Sequence, residues 1–403
     1  MKKHSGQPYF SIVIPTKNRS FFVGRALQSI LDQTWQDWEV VVSDNDDSSD
    51  TAAVMEGYKD SRIRYVRTGG LNMPDNFESA YNHARGVYWL LLEDKSLLKP
   101  RALHTLAQLT TQKKPLVVSW MQDMFNDTQQ PPTVLRALGS GASRWVTSDA
   151  ILHMLQTEER GYYENFLPRG LNSCLHQDLA AQIKAGPFGR LCPPLSPDYM
   201  LAYQTLAFAD RVLFVEDALT VFGSCVHSHG RKHQSIETLR RDMFADFGVV
   251  DENDIYSHVP LKTDLATGCL LNDYLRVREK LGGRLNRFPL DPVYLFVGAH
   301  KDLLRARAMG FAKTEEGLAW ERDLALQPRE VQRQVRRQII RRKSPKDWAR
   351  ALVRVLGLYS AWLGFKRAFG WTPPQAPDNQ ILHFQTPVEY VRWETAQLST
   401  VGA

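Results

Sequence analysis

The sequence predicts an α/β fold: a mostly parallel β-sheet flanked by helices, followed by a mainly helical C-terminal region. Two observations support this class. In the first 120 residues, short apolar runs alternate strictly with amphipathic stretches, which is the pattern of right-handed β–α–β units. Beyond His233 the apolar spacing is mostly helical. The 403 residues also exceed what one compact core usually needs, so we expect more than one lobe.

The alternation can be followed along the chain. Residues 10–14 form an apolar run that predicts a buried strand, which we expect to end at Pro15. Phe22, Ala26 and Ile30 recur at helical spacing and predict an amphipathic helix. The same reasoning predicts strands at 39–42, 62–66, 87–92 and 116–121, and a helix over 75–84. Because helices connect the first strands, these strands should be parallel, with their carboxyl ends at one edge of the sheet.

The composition is that of an ordinary globular protein, with 43% hydrophobic and 23% charged residues. The formal charge of +6 permits acidic ligands such as diphosphates or anionic lipid, without indicating nucleic acid. The four cysteines are widely spaced and form no CxxC pair, which favours reduced thiols in the cytoplasm. We find neither an apolar leader nor a run of about eighteen apolar residues, so we expect a cytoplasmic protein without a membrane-spanning helix.

Three polar clusters follow predicted strands, at residues 16–19, 44–50 and 93–95. Asp44 could accept a hydrogen bond from the N–H of a pyrimidine base. Glu93 and Asp94 could hold a divalent ion that offsets charge on a departing diphosphate. Taken alone, each acidic cluster also fits a simpler interpretation, either a solvated turn or the charged start of a helix. Their joint position at one sheet edge favours a ligand site.

Several blocks of the sequence, in order, resemble family 2 glycosyltransferases. They are residues 10–19 (FSIVIPTKNR), 26–34 (ALQSILDQT), 41–50 (VVSDNDDSSD), 60–65, 72–78, 84–86 and 91–98. The resemblance is strong over residues 9–105 and thins toward His229. It implies the Rossmann-like GT-A fold, with a nucleotide-sugar-binding part at 1–120 and an acceptor-binding part at 121–232. Residues 233–403 would form the mainly helical, basic C-terminal region.

The resemblance also implies the site residues. Donor-binding residues would be Pro15, Thr16, Asn18, Arg19, Asp44, Asn76, Glu93, Asp94 and Lys95. Family members usually invert the anomeric centre by in-line displacement, while a carboxylate deprotonates the acceptor hydroxyl. Asp198, in a Pro-Asp block, is the implied general base. Since it follows Pro197 and precedes an amphipathic run, Asp198 also fits a helix N-cap. The implied activity is that of an inverting hexosyltransferase, with a UDP-sugar as the expected donor.

The sequence departs from the family after the fourth predicted strand. Family members typically have three consecutive acids there, and the last is the usual metal ligand, whereas this chain has Glu93-Asp94-Lys95. In one arrangement Lys95 turns outward, while Glu93, Asp94 and a distant histidine such as His227 hold Mn²⁺ or Mg²⁺. In the other, Lys95 itself neutralises the diphosphate, and we favour weak metal dependence. The lysine also fits a non-catalytic nucleotide-sugar-binding or scaffold protein that retains the fold.

His227, His229 and His233 lie in a polar segment with Arg231 and Lys232. This segment could supply a metal ligand, contact the diphosphate, or be an exposed loop with neither role. By resemblance, one histidine of such a closing loop can ligate the metal.

Residues 328–354 are strongly basic and continue into an apolar, Trp-containing stripe. Pro373-Pro374 and Pro377 predict a terminal loop, and the last residues are expected to be frayed. The basic segment fits a solvated helix face or docking to an anionic membrane surface, and nucleic acid is the least favoured partner. The Trp stripe also fits core packing. Expected partners are therefore a nucleotide-sugar donor and a saccharide or lipid-linked saccharide acceptor in surface polysaccharide or glycolipid assembly. The protein would then be peripheral on the inner face of the membrane.

Overall fold

A computed structural model describes residues 6–128, 130–156, 164–224, 246–249, 255–262, 266–308, 314–341 and 379–401. The chain divides into two compact units. The first comprises Met1–Val259, Cys269–Pro289 and Gln380–Ala403, and the second comprises Pro260–Gly268 and Leu290–Asn379.

The strands run over Phe10–Thr16 (β1), Trp38–Asp44 (β2), Ile63–Arg67 (β3), Tyr88–Leu91 (β4), Leu97–Leu98 (β5), Val117–Asn126 (β6), Thr133–Ala137 (β7), Ser143–Thr147 (β8), Ser173–His176 (β9), Arg211–Ser224 (β10) and Asn379–His383 (β11). The α-helices run over Ser20–Leu31 (α1), Asp50–Glu56 (α2), Met73–Asn82 (α3), Ala102–Lys113 (α4), Ser148–Gln156 (α5), Gln177–Ala185 (α6), Pro197–Phe208 (α7), Ala266–Leu281 (α8), Pro292–Ala308 (α9), Thr314–Ala325 (α10), Arg329–Arg341 (α11) and Pro387–Val401 (α12). The strands and helices predicted for the first 121 residues are confirmed, with ends that differ by a few residues.

The described strands form one mixed sheet in the order β11-β7-β6-β9-β4-β1-β2-β3, and β10 pairs with β5, β6 and β8. At its centre, β1 runs parallel to β2 and β4, and β2 runs parallel to β3. The register pairs Thr16 with Asp44, so β1 and β2 end side by side. The predicted α/β class with a mostly parallel central sheet is therefore confirmed.

The core explains why the apolar runs become strands. All seven residues of β1 and all seven of β2 are buried, because helices cover the central strands on their faces. On one face, Val23 and Leu27 of α1 join Leu103 and Leu106 of α4 in a single cluster with the strands. This cluster packs against the central strands whose carboxyl ends, those of β1, β2 and β4, form one edge of the sheet.

The expected end of the first strand at Pro15 is wrong, because β1 continues to Thr16. The partner strand β4 pairs with β1 only as far as Val13. Pro15 therefore lies where β1 has a neighbour on one side only, and a proline is tolerated at such an edge position.

The second unit contains α9, α10 and α11 among its described residues, in agreement with the predicted mainly helical C-terminal region. After Pro377, residues 379–401 form β11 and α12. The predicted proline-rich loop and the last two residues lie outside the described residues. Tyr390 of α12 is fully buried with Phe125 and Val134 in a second apolar cluster. None of the described helices is long and apolar enough to cross a membrane.

Candidate functional site

Asp44, the last residue of β2, lies at the predicted base pocket and has no exposed surface. Its Oδ1 accepts the backbone N–H of Asp46 at 2.8 Å. Its Oδ2 accepts the Tyr65 hydroxyl and the Nη1 of Arg67, the latter at 3.4 Å. Burial and the neighbouring Asp44 raise the pKa of Tyr65, so the phenol keeps its proton and remains a donor. Because the carboxylate has no exposed surface, a base N–H reaches it only by replacing Tyr65 or Arg67.

Thr16 joins two strand ends. Its hydroxyl donates to Oδ2 of Asp94 at 2.9 Å, which links the end of β1 to the residues after β4. Its carbonyl accepts from Nδ2 of Asn76 on α3 at 3.1 Å, and Asn76 Oδ1 accepts from Ser43 at 2.7 Å. Helix α3 is fixed locally by its N-cap Asn72, whose side chain accepts the N–H of Asp75. The structure therefore brings Thr16, Asn76 and Asp94 into one buried cluster.

Asn18 connects the loop after β1 to the acidic turn after β2. It has a positive φ of 55°, a conformation that asparagine tolerates better than most residues. Its side chain donates to Asp47 at 2.7 Å and accepts the Asp47 N–H at 2.9 Å. Asp46 accepts the Asn18 backbone N–H. The first part of the acidic turn is thus buried and bonded to Asn18, whereas residues 47–50 are exposed to solvent, and Pro15 is buried inside the sheet.

The Glu93-Asp94-Lys95 triplet lies beside this cluster. Asp94 is 2% exposed, and its Oδ1 accepts from Nη1 of Arg19 at 3.3 Å. The Lys95 ammonium lies 3.5 Å from Glu93 Oε1 and 5.0 Å from the centre of the Phe222 ring. Only 7% of the Lys95 side chain is exposed, so the arrangement in which Lys95 turns outward is wrong.

The metal expected from the family does not suit the described side chains. Both oxygens of Asp94 accept hydrogen bonds, from Thr16 and Arg19, and both oxygens of Glu93 lie against Lys95 or Ser96. Within the described part of the chain, no three His, Cys, Asp or Glu side chains are grouped so that they could hold an ion. A divalent cation would have to displace two resident cations from these carboxylates. The predicted ligand His227 lies outside the described residues, as do His229 and His233.

Asp198 lies in the first turn of α7, whose N-cap is Ser196. The N-cap interpretation of Asp198 is therefore wrong, because the helix begins one residue before it, at Pro197. Burial raises the pKa of Asp198 to about 6, against the opposing charge of Arg169, and Glu93 raises it further. Arg169 Nη1 lies 3.9 Å from the carboxylate, and a fifth of the Asp198 side chain is exposed. Such a carboxyl group is ionised at neutral pH yet more basic than an ordinary aspartate, as a general base requires.

Sequence reasoning missed Asp273, which holds the start of α7 from the neighbouring helix α8. It is fully buried, and its Oδ2 accepts the N–H of Ser196 at 3.1 Å. Burial raises the pKa of Asp273 to about 8, although the bonds from Ser196 act the other way. The preceding Leu195 has a φ of +87°, a strained value for a branched side chain, which the surrounding contacts must hold in place. The available signal was an aspartate beside Tyr274 and Val277 on the apolar stripe of a helix.

Comparison with known proteins shows that residues 11–166 match the family model "Glycosyl transferase family 2". The chain is 32% identical over 105 residues to the GalNAc(5)-diNAcBac-PP-undecaprenol β-1,3-glucosyltransferase of Campylobacter jejuni, covering 25% of this chain and 34% of that protein. It is 29% identical over 98 residues to the chondroitin synthase of Escherichia coli, covering 24% of this chain and 14% of that protein.

Among solved structures, the chain is similar to residues 1–349 of TarS from S. aureus in complex with UDP-GlcNAc. The identity is 16%, the TM-score is 0.48, and the alignment covers 78% of this chain and 79% of that one. The chain covers about a third or less of the length of the curated relatives that it matches. Over the matched N-terminal part, the resemblance inferred from the sequence blocks is confirmed.

Proposed function

We propose that this chain, whose residues 11–166 belong to glycosyl transferase family 2, moves a sugar from a nucleoside-diphosphate donor to a hydroxyl group of an acceptor. One observation carries the proposal: the ends of β1, β2 and β4 meet in a single hydrogen-bonded cluster, in which Thr16 joins Asp94 at 2.9 Å. Open parallel sheets bind ligands at this edge. We keep residues 1–120 as the donor-binding part and 121–232 as the acceptor-binding part of this proposal.

The donor we propose is a UDP-sugar, and the reaction is an inverting hexosyl transfer. Asp44 supports a pyrimidine base, because its carboxylate can accept a ring N–H at the end of β2. Asp198 supports direct displacement, since a carboxylate with a pKa of about 6 is ionised at neutral pH. Asp198 takes the proton of the acceptor hydroxyl while the oxygen attacks the anomeric carbon. The bond from that carbon to the diphosphate breaks on the opposite face, and the configuration inverts.

The acceptor we propose is a lipid-linked saccharide in surface polysaccharide or glycolipid assembly. Its support is the Campylobacter relative, whose name specifies an undecaprenol-linked acceptor. Such an acceptor would require the protein to work at the cytoplasmic face of a membrane.

Helix α11 supports this location, because Arg329, Arg333, Arg337 and Ile340 are exposed at one-turn intervals along the same face. Residues 342–354 of the predicted basic segment lie outside the described residues. We expect the protein to float with phosphatidylglycerol vesicles but not with phosphatidylcholine vesicles. A variant with Arg329→Glu, Arg333→Glu and Arg337→Glu should stay in the bottom fraction of the gradient. Equal flotation of this variant and the natural sequence would contradict docking through α11.

The experiment that tests the reaction is release of nucleoside diphosphate from a panel of UDP-, GDP- and dTDP-sugars by the purified full chain. We expect turnover of one UDP-sugar and a loss of about 100-fold or more in the Asp198→Asn variant. Binding of a nucleoside diphosphate without turnover, even with a polyprenyl-diphosphate saccharide acceptor present, would favour the non-catalytic alternative. If no nucleoside diphosphate binds, both interpretations are wrong.

A further inference from the structure

The charge of the Glu93-Asp94-Lys95 triplet bears on how the proposed donor diphosphate is neutralised. Three consecutive acids carry three negative charges, which fall to one when a divalent cation binds. The triplet of this chain carries one net negative charge without any ion, because a lysine occupies the third position. The substitution therefore gives the bare protein the charge that an acidic triplet has only in its metal-bound state.

The side chain of Lys95 is held inside the site. Its ammonium lies 3.5 Å from Glu93 Oε1 and 5.0 Å from the centre of the Phe222 ring. The backbone around it is also fixed, since a Cβ at Gly223 would lie 2.3 Å from the Lys95 carbonyl oxygen. Only glycine permits this close approach of β10 to the triplet. The backbone of Lys95 is thus held against β10, while its ammonium lies beside Glu93 and Phe222.

A cleft opens directly beside the triplet. Asp94, Lys95 and Arg25 line it, together with Phe22 and Asp127. Two cationic side chains from different elements, Arg25 of α1 and Lys95 after β4, therefore line the same cleft.

The neighbouring carboxylates are already paired. Arg19 contacts Asp94 at 3.3 Å, and Arg169 contacts Asp198 at 3.9 Å. Burial opposes the charge of Arg169, but the nearby Tyr199 and Asp198 together raise its pKa, so the guanidinium stays charged. A divalent ion on Glu93, Asp94 or Asp198 would meet a protein cation already beside that carboxylate. The same cations would instead attract an incoming diphosphate, because it is negatively charged.

We propose that Lys95 replaces the divalent ion as the cation that receives the donor diphosphate, with Arg25 in the lining of the same cleft. The ammonium exchanges Glu93 for a phosphate oxygen, as a point charge with several N–H donors. This inference rests on the proposed function, because it assumes a nucleoside-diphosphate donor in the cleft. It makes donor binding independent of added metal.

The test is calorimetric titration of the full chain with UDP, in buffer with a chelator and in buffer with Mn²⁺. For the natural sequence, we expect dissociation constants that agree within about twofold. Lys95→Met keeps an unbranched side chain of similar length but removes the charge, and should weaken UDP binding by about 10- to 100-fold in both buffers. Lys95→Asp restores an acidic triplet and should bind UDP at least about tenfold more tightly with Mn²⁺ than with chelator.

Lys59→Ala is the matched control, because it also removes one lysine charge but lies before β3, at the opposite edge of the sheet. It should bind UDP like the natural sequence, and circular dichroism should show that all variants are folded. Loss of UDP binding by the natural sequence in chelator would overturn the inference and leave the proposed function intact. Unchanged binding by Lys95→Met would overturn it as well. Failure of UDP, GDP and dTDP to bind in either buffer would overturn both proposals.

Discussion

Replacing Asp198 with asparagine tests the proposed base through the pH dependence of the reaction. The pKa of Asp198 is raised to about 6, chiefly by burial. At pH 7.5 about 97% of such a group is ionised, and at pH 5 only about 10% is. We therefore expect kcat/KM of the natural sequence to fall about tenfold per pH unit below pH 6. Asp198→Asn should lose about 100- to 10,000-fold in kcat at pH 7.5 and should lack this acidic limb.

The same substitution has an opposite effect on stability. Since the folded-state pKa lies above the usual value of 3.8, the folded state binds the proton more tightly. Stability therefore falls as the pH rises from about 4 to about 6, and above that the full penalty is present. Two pKa units correspond to at most about 3 kcal/mol. Asparagine removes this penalty but also removes the partner of Arg169, so we expect a net gain of about 1 kcal/mol at pH 7.5.

Two measurements follow from this pair of expectations. Donor turnover is measured from pH 5 to 8, and urea unfolding is measured at pH 4 and pH 7.5 for both proteins. A variant that is less active and more stable at pH 7.5 identifies a carboxylate held under strain for function. A variant with an unchanged acidic limb would refute the base assignment. A variant that is less stable at pH 7.5 would refute the desolvation argument.

Two further predictions concern residues that hold the site in place. With a pKa of about 8, Asp273 is neutral at pH 7, so Asp273→Asn should keep kcat within about threefold. Asp273→Leu leaves the Ser196 N–H without an acceptor, so steady-state kinetics should show a lower kcat at nearly unchanged donor KM. Lys99 is 1% exposed and lies 2.6 Å from Asp123 and 2.7 Å from Glu394. Lys99→Met leaves both carboxylates buried without the lysine charge. Urea unfolding should show that the free energy of unfolding falls by about 3–5 kcal/mol.

The central sheet could be predicted because its signals are local. The apolar run at 10–14 and the four-residue spacing in Ser20–Leu31 each describe one element, and alternation of such elements determines a parallel arrangement. The positions of Thr16 and Asp44 follow directly, since both end parallel neighbours. These residues needed no knowledge of distant contacts.

The features that the sequence did not predict depend on contacts between distant residues. The orientation of Lys95 is set by Phe222 and by the approach of Gly223, both on β10. The role of Asp273 depends on Ser196, which is 77 residues away along the chain. The order of α12 depends on the bond from Lys99 to Glu394, 295 residues away. Hydrophobic periodicity describes single elements, so it carries no information about such pairs.

The cation at Lys95 and the base at Asp198 are physically coupled. Glu93 raises the pKa of Asp198, and Lys95 lies against Glu93. A divalent ion on Glu93 would add two positive charges near Asp198, favour its ionised form and lower its pKa, which makes it a weaker base. A single ammonium near Glu93 adds half that charge and disturbs Asp198 less. If Lys95 serves as the cation, Asp198 can therefore keep a pKa of about 6 close to the diphosphate site. The lysine is then consistent with retained catalysis.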